Sequence, residues 1–209
     1  MPVALSCAQS AESFNITLFS EKSEREGRPV AEIDVTRNRA AEKWTTREKL
    51  GRVMWAAVWP LFRYSPRPFW AFRRALLRLF GATVGAGAHV YPTVRIAIPW
   101  NITLGCNCAV GDRAILYSLG LISIGNRSTI SQGAHLCAGT HDLKDPARLL
   151  LKLPIIVGQD AWICADAFIG PGVEIGNSAI VGARGVVMRD VKQSVIVAGN
   201  PAREIRGII

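Results

Sequence analysis

The 209-residue chain carries 25 Lys and Arg against 16 Asp and Glu, a formal net charge of +9, and 49% of its residues are hydrophobic. That apolar content supports a packed core and excludes a disordered chain, and the length suits one domain with smaller flanking segments. No stretch reaches the roughly 18 apolar residues of a membrane-spanning helix, and Met1 to Ser10 lacks the charged start and long apolar run of a secretory signal. A cytoplasmic protein is expected. The five cysteines (7, 106, 108, 137 and 164) agree with a reducing compartment, and because Cys106-x-Cys108 has no second pair at zinc spacing they read as structural thiols, with no metal expected.

Residues 1–43 mix Ser, Glu, Lys and Arg with few aromatics and no sustained period, which predicts a flexible arm. From Trp44 the texture changes. Thr45-Thr-Arg-Glu48 is a capping box ahead of an apolar run, predicting a helix that ends near Pro60, and a second helix is expected from about Pro68 to Phe80, before Gly81. This helical segment, residues 44–83, holds eight basic residues and one acidic residue between Trp44 and Phe80, interleaved with aromatics. Two readings stand side by side: a cap that shields an open end of the fold while its arginines snorkel outward, or a membrane-surface segment that brings the protein to the inner membrane face. No nucleic-acid recognition motif is present.

Residues 84–192 repeat one phrase fifteen times: an aliphatic residue, often Gly, two variable positions, a small residue and one more. The lead residues run from Val84, Val90 and Ile96 to Ile175, Val181 and Val187, and none is polar. Three hexapeptides make an eighteen-residue block, and five such blocks predict an all-β solenoid of five triangular turns. Alternation along a strand points the lead and the small residue inward. Gly follows the lead at eight of the fifteen places, a choice that suits a corner with little room. Trp100 alone breaks the small-residue rule. Two-residue insertions stand at Ile102-Thr103 and Ile122-Ser123, a single long loop at residues 142–156, and a tail at 193–209 closes the chain.

These repeats, with Trp162-Ile-Cys-Ala-Asp-Ala-Phe-Ile-Gly-Pro-Gly, Val181-Gly-Ala-Arg and Ala198-Gly-Asn-Pro-Ala-Arg203, resemble the hexapeptide-repeat acyltransferases, which fold as left-handed parallel β-helices. Pro99-Trp-Asn, Leu116-Tyr-Ser-Leu-Gly and Ile130-Ser-Gln-Gly-Ala-His-Leu-Cys-Ala-Gly-Thr-His-Asp are similar to the colanic acid acetyltransferases, relatives of the maltose, galactoside and nodulation-factor enzymes. The resemblance implies an acetyl-CoA-dependent O-acetyltransferase acting on a sugar or lipid-linked oligosaccharide of an exopolysaccharide, assembled as a homotrimer. Alternatives are another small hydroxyl or amine acceptor, a noncatalytic scaffold, and a metal-dependent carbonic anhydrase of the same fold; His89, His135 and His141 fall at different corners, which disfavours the last.

His141 stands at the mouth of the long loop, and the resemblance makes it the general base, with Asp142 or a backbone carbonyl holding its second ring nitrogen. For the coenzyme, the resemblance implies backbone contacts at Trp162, Ala165, Gly182 and Ala183, and phosphate contacts from Arg184, Arg189 and Arg203. Where the maltose and galactoside enzymes use an Asn, this chain has Gly111 beside Asp112, so Asp112 and Tyr117 are the acceptor-binding candidates.

Overall fold

A computed structural model describes residues 33–207; the expected arm up to residue 32, Cys7 and the last two residues lie outside it. The core is a parallel β-solenoid. Its first face stacks strands Thr83–Val84, Ile102–Leu104, Ile122–Ile124, Ile155–Val157 and Glu174–Ile175. The second stacks His89–Val90, Ala109–Val110, Thr129–Ile130, Trp162–Ile163, Ile180–Val181 and Val195–Ala198, and the third Arg95–Ile96, Ile115–Tyr117, His135–Cys137, Phe168–Ile169 and Val186–Val187. All fifteen lead side chains are buried. They meet in one column because register pairs lead with lead, as in Val110 with Ile130 and Ile163 with Val181.

The turn count is about six, where the repeats predicted five. Val191 bridges to Ile175 on the first face, and Val195–Ala198 adds a strand to the second, so the expected tail opens with part of another turn. Its hexapeptide phrase is lost, but its β-branched residues still satisfy the exposed edge of Ile180–Val181. Arg203–Gly207 then folds back antiparallel on that strand.

Where glycine follows a lead, it has a different physical reason from the corner dihedral. Left-handed backbone occurs two residues further on, at Asn107, Arg127, Asp160, Asp166, Ser178 and Arg184 (φ 55 to 58°). At Gly105 and Gly125 a Cβ would lie 2.6 Å and 2.5 Å from the backbone of the next turn, so the glycine permits stacking, not turning.

Among the described residues three α-helices precede and flank the solenoid: α1 (Val35–Ala40), α2 (Thr46–Arg63) and α3 (Trp70–Leu79). The capping box forms as written, Thr45 Oγ1 accepting from Glu48 N and Glu48 Oε2 from Thr45 N. α2 runs past Pro60 to Arg63; proline is tolerated in this last turn because Trp55 and Phe62 remain buried around it, edge-on to one another at 5.9 Å. Trp100, the exception to the repeat, has its indole over Gly51 of α2, where a Cβ would come within 2.9 Å of the ring.

Arg47 and Arg52 of α2 are exposed, as snorkelling requires, but three arginines of α3 turn onto the solenoid. Among the described residues no strand pairs with the outer edge of the first turn, so its carbonyls need other donors. Arg78 donates to Val84 O on the first face, Arg74 to Ala88 O and Arg73 to Val90 O entering and leaving the second-face strand, and Trp55 Nε1 to Ile96 O on the third. Arg73 is fully buried and also donates to Pro66 O, Arg67 O and Ser65 Oγ, so its charge is spread over four acceptors, while burial lowers its pKa. Among the described residues no helix is long and apolar enough to cross a membrane.

Candidate active site

The corner between third and first faces is the widest of the solenoid. The insertions predicted at residues 102 and 122 lengthen first-face strands, so that Ile102, Ile122 and Ile155 stack in register. Ser118 is buried at this corner and ties two turns together, donating to Ile98 O at 2.8 Å and accepting from Ile98 N at 2.9 Å. In the third turn the long loop leaves from the same place. It begins as a hairpin, Thr140–His141 pairing antiparallel with Leu150–Leu151, and His141 stands exposed on it.

His141 Nδ1 lies 2.6 Å from the carbonyl oxygen of Arg148. A carbonyl only accepts, so this contact requires the proton on Nδ1 and, in the neutral ring, leaves the lone pair on Nε2. Between the two orienting groups left open by the sequence, the backbone carbonyl is the one in place. Asp142 Oδ1 instead accepts from Lys144 N at 2.9 Å, closing the turn of the loop. Arg148 has φ +45°, a left-handed conformation unusual for a side chain this size, and that kink belongs to the peptide facing the imidazole. The orienting carbonyl was invisible to sequence reasoning, since every residue carries one.

The loop is held from outside by elements that sequence reasoning assigned elsewhere. Residues 33–43, expected within the flexible arm, carry α1, capped by Asp34 and docked on the loop: Asp34 N donates to Pro146 O at 3.0 Å and Arg37 pairs with Asp145 at 3.3 Å. α1 buries no residue of its own, so hydrophobic periodicity had nothing to reveal. At the far end of the loop, Lys152 lies over the Trp44 ring at 3.9 Å and 3.7 Å from Glu48.

The acceptor candidates separate. Tyr117 sits on the third face, next to Cys137 in register and edge-on to His135 at 6.5 Å, on the strand that leads toward the His141 corner. Asp112 stands at the other end of that face. Its carboxylate is engaged by Arg67 at 2.6 Å and by Thr93 Oγ1 at 2.7 Å, so it pins the α2–α3 connection to the solenoid.

Among the coenzyme candidates, Arg189 and Arg203 line one groove of about 400 Å³ at the C-terminal end, together with Lys192. Trp162 and Gly182 lie on the second face, where Trp162 Nε1 donates to Ser131 Oγ at 2.9 Å, and Ala165, Ala183 and Arg184 form its corners, with Arg184 N donating to Ala165 O. At Gly182 a Cβ would come within 2.8 Å of Ala198, so the backbone there is bare by necessity. The histidines stand apart: His89 stacks on Trp70 at 4.6 Å, and His135 lies between Tyr117 and Phe168 with a buried, unpartnered Nε2. Among the described residues no three His, Cys, Asp or Glu side chains converge on a metal position. Burial pushes the Cys108 thiol up to about 11, far from a nucleophile's range.

No family model matches the chain. It is 41% identical over 155 residues, 74% of its length and 85% of the relative's, to the protein named as colanic acid biosynthesis acetyltransferase WcaF of Escherichia coli (strain K12). Galactoside acetyltransferase in complex with coenzyme A superposes with a TM-score of 0.74 at 27% identity, covering 85% of this chain and 92% of that one. The hexapeptide-repeat acetyltransferase VCA0836 of Vibrio cholerae O1 biovar eltor, complexed with acetyl coenzyme A, shares the fold at a TM-score of 0.74 and 23% identity, covering 80% and 92%. With its repeats stacked as a parallel solenoid and a histidine presented at the single long loop, the chain belongs to the hexapeptide-repeat acetyltransferase family.

Proposed function

We propose that this protein transfers the acetyl group of acetyl-CoA to a sugar hydroxyl in exopolysaccharide synthesis, on a left-handed β-helix, with His141 as general base. The observation that carries the reading is the 2.6 Å contact from His141 Nδ1 to Arg148 O, which leaves Nε2 free to accept a proton. As the sugar oxygen attacks the thioester carbonyl, Nε2 takes its proton; the tetrahedral adduct then expels the coenzyme thiolate, breaking the C–S bond, and the imidazolium returns the proton to sulfur. Such assistance supplies roughly 100- to 10,000-fold. Arg189, Arg203 and Lys192 around one groove suit the coenzyme phosphates. WcaF and the galactoside enzyme are named for saccharide chemistry, which supports a sugar acceptor.

A homotrimer with the site between subunits fits the third face. Its outward side chains include Ile115, Tyr117, Phe168, Val186 and Met188 beside the charged Arg95, a largely apolar face suited to a second copy of the chain. His141 lies at the corner that ends this face, so an adjoining copy would supply the opposite wall.

A lipid surface is a further expectation at the helices. With Arg67, Arg73, Arg74 and Arg78 committed to the solenoid, the outward stripe of α2 that remains is Leu50, Val53, Met54 and Leu61, all more than half exposed, beside an apolar groove of about 1000 Å³ reaching Leu79 and Trp100. Glu48, the acidic residue on its wall, is paired with Lys152 and its pKa is lowered, first by the Thr45 backbone N–H. Lipid-linked acceptors would meet the enzyme there.

The deciding experiment incubates the full-length protein with acetyl-CoA and 4-nitrophenyl galactoside, glucoside and fucoside, with glucosamine as amine acceptor, following thiol release and locating the acetyl group by NMR. An ester on a pyranoside is expected. Acetylation confined to the amine, or thiol release that no sugar accelerates, overturns the sugar O-acetyltransferase reading.

A further inference from the structure

Arg148 O accepts twice. Besides His141 Nδ1 at 2.6 Å, it takes a hydrogen bond from Asn38 Nδ2 at 2.8 Å, and the same amide donates its second hydrogen to Ala147 O at 2.7 Å. An NH2 group has two donors and a carbonyl two lone pairs, so this arrangement is fully used on both sides. Lys43 Nζ donates to Asn38 Oδ1 at 2.9 Å, which settles the orientation of the amide: its oxygen faces an ammonium and its nitrogen two carbonyls.

We infer that Asn38 is a positioning residue for the reaction, acting through the Arg148 carbonyl to hold His141 in the tautomer that leaves Nε2 basic. The inference rests on His141 being the base. Its physical reason is the backbone at Arg148, whose φ of +45° is a conformation the loop must be held in. Asn38 grips the carbonyls of two successive residues at this kink and so fixes the direction in which Arg148 O points. Without that grip the peptide is free to relax, and the imidazole reverts to a mixture of tautomers, of which only one has its lone pair at Nε2. Asn38 lies on α1, which docks from outside and buries no residue, so its loss does not open the core.

The test uses full-length protein labelled with ¹⁵N-histidine, at a pH where the imidazoles are neutral, with His141→Gln identifying the His141 signals. The wild type is expected to show His141 protonated on Nδ1. Asn38→Leu, matched in size but without donors, is expected to show mixed tautomers and a melting temperature close to wild type. On the pyranoside panel its kcat should fall about tenfold or more, with the Michaelis constant for acetyl-CoA unchanged. Arg37→Gln, which loses only the exposed pair with Asp145, should change neither tautomer nor kcat. A folded Asn38→Leu protein with the wild-type His141 tautomer overturns the inference, as does an equal effect from Arg37→Gln. Should His141→Gln itself retain turnover, the general-base reading fails; should it abolish turnover while Asn38→Leu is wild type in tautomer and rate, only the role of Asn38 falls.

Discussion

His141 and Arg148 face one another across the mouth of the loop, imidazole Nδ1 to carbonyl oxygen at 2.6 Å, while the neighbouring Asp142 carboxylate turns to Lys144 N. In the proposed mechanism the base is oriented by backbone, an arrangement that does not call on the charge of the next side chain. His141→Ala is therefore expected to keep the fold and coenzyme affinity and lose about a hundredfold or more in turnover, whereas Asp142→Ala stays within a few-fold of wild type. Steady-state kinetics with circular dichroism checks both, and an Asp142→Ala loss as large as that of His141→Ala would show that the carboxylate acts on the ring.

Arg73 is a second test of how the structure is held. Its guanidinium is wholly buried on Val90 O, Pro66 O, Arg67 O and Ser65 Oγ, and truncation strands those acceptors. Arg73→Met should cost about 2–4 kcal/mol in chemical denaturation. Arg63→Gln, whose guanidinium lies 5.6 Å over the Tyr64 ring at the helix end, should cost well under about 1 kcal/mol.

Arg189 and Arg203 share the C-terminal groove. Replacing either with Gln is expected to raise the Michaelis constant for acetyl-CoA, each contact being worth roughly 1.5–3 kcal/mol, and to leave that for the sugar nearly unchanged. Unaltered coenzyme affinity in a folded variant would assign that arginine to the solvated surface.

His135 predicts a pH dependence. Desolvation first, and the nearby Arg95 charge second, lower its pKa from 6.5 in the folded protein. The unfolded chain then binds the proton more readily, so the folded state is favoured above about pH 6.5 and loses stability as pH falls below it toward the depressed value. Denaturation midpoints at pH 7.5 and 5 should differ less for His135→Phe than for wild type. An identical acid loss in both would place the sensitivity elsewhere.

The exposed stripe of α2 predicts binding to vesicles that survives salt, because its contact with lipid is apolar, while Arg73, Arg74 and Arg78 of α3 are engaged by carbonyls of the solenoid. Wild type is expected to float with liposomes at low and high ionic strength, and a Met54→Glu, Leu61→Glu double variant to remain in the soluble fraction. If wild type floats with neither anionic nor neutral liposomes, the stripe serves another contact.

Much of this molecule was legible in the residues. Every lead position turned out buried, and Thr45 and Glu48 formed their box, because each of these rules concerns near neighbours in the chain. His141 could be singled out by its place before the loop. The direction of the basic residues could not. Arg73, Arg74 and Arg78 look like a solvated cationic face on a helical wheel, and only the stacking of α3 on the first turn shows that unpaired strand carbonyls lie within their reach.

The sequence by itself therefore determined the solenoid, its inward-facing residues and the histidine at its single loop, since a hexapeptide repeat states the same local packing demand fifteen times over. The tertiary structure alone decided what orients that histidine and what closes the open end. Those contacts join backbone carbonyls to side chains at separations that follow no repeat, from 6 positions for Arg78 and Val84 to 110 for Asn38 and Arg148. A carbonyl is common to all residues, so nothing in the identity of Arg148, Val84 or Val90 marks it as an acceptor until folding brings a donor to it.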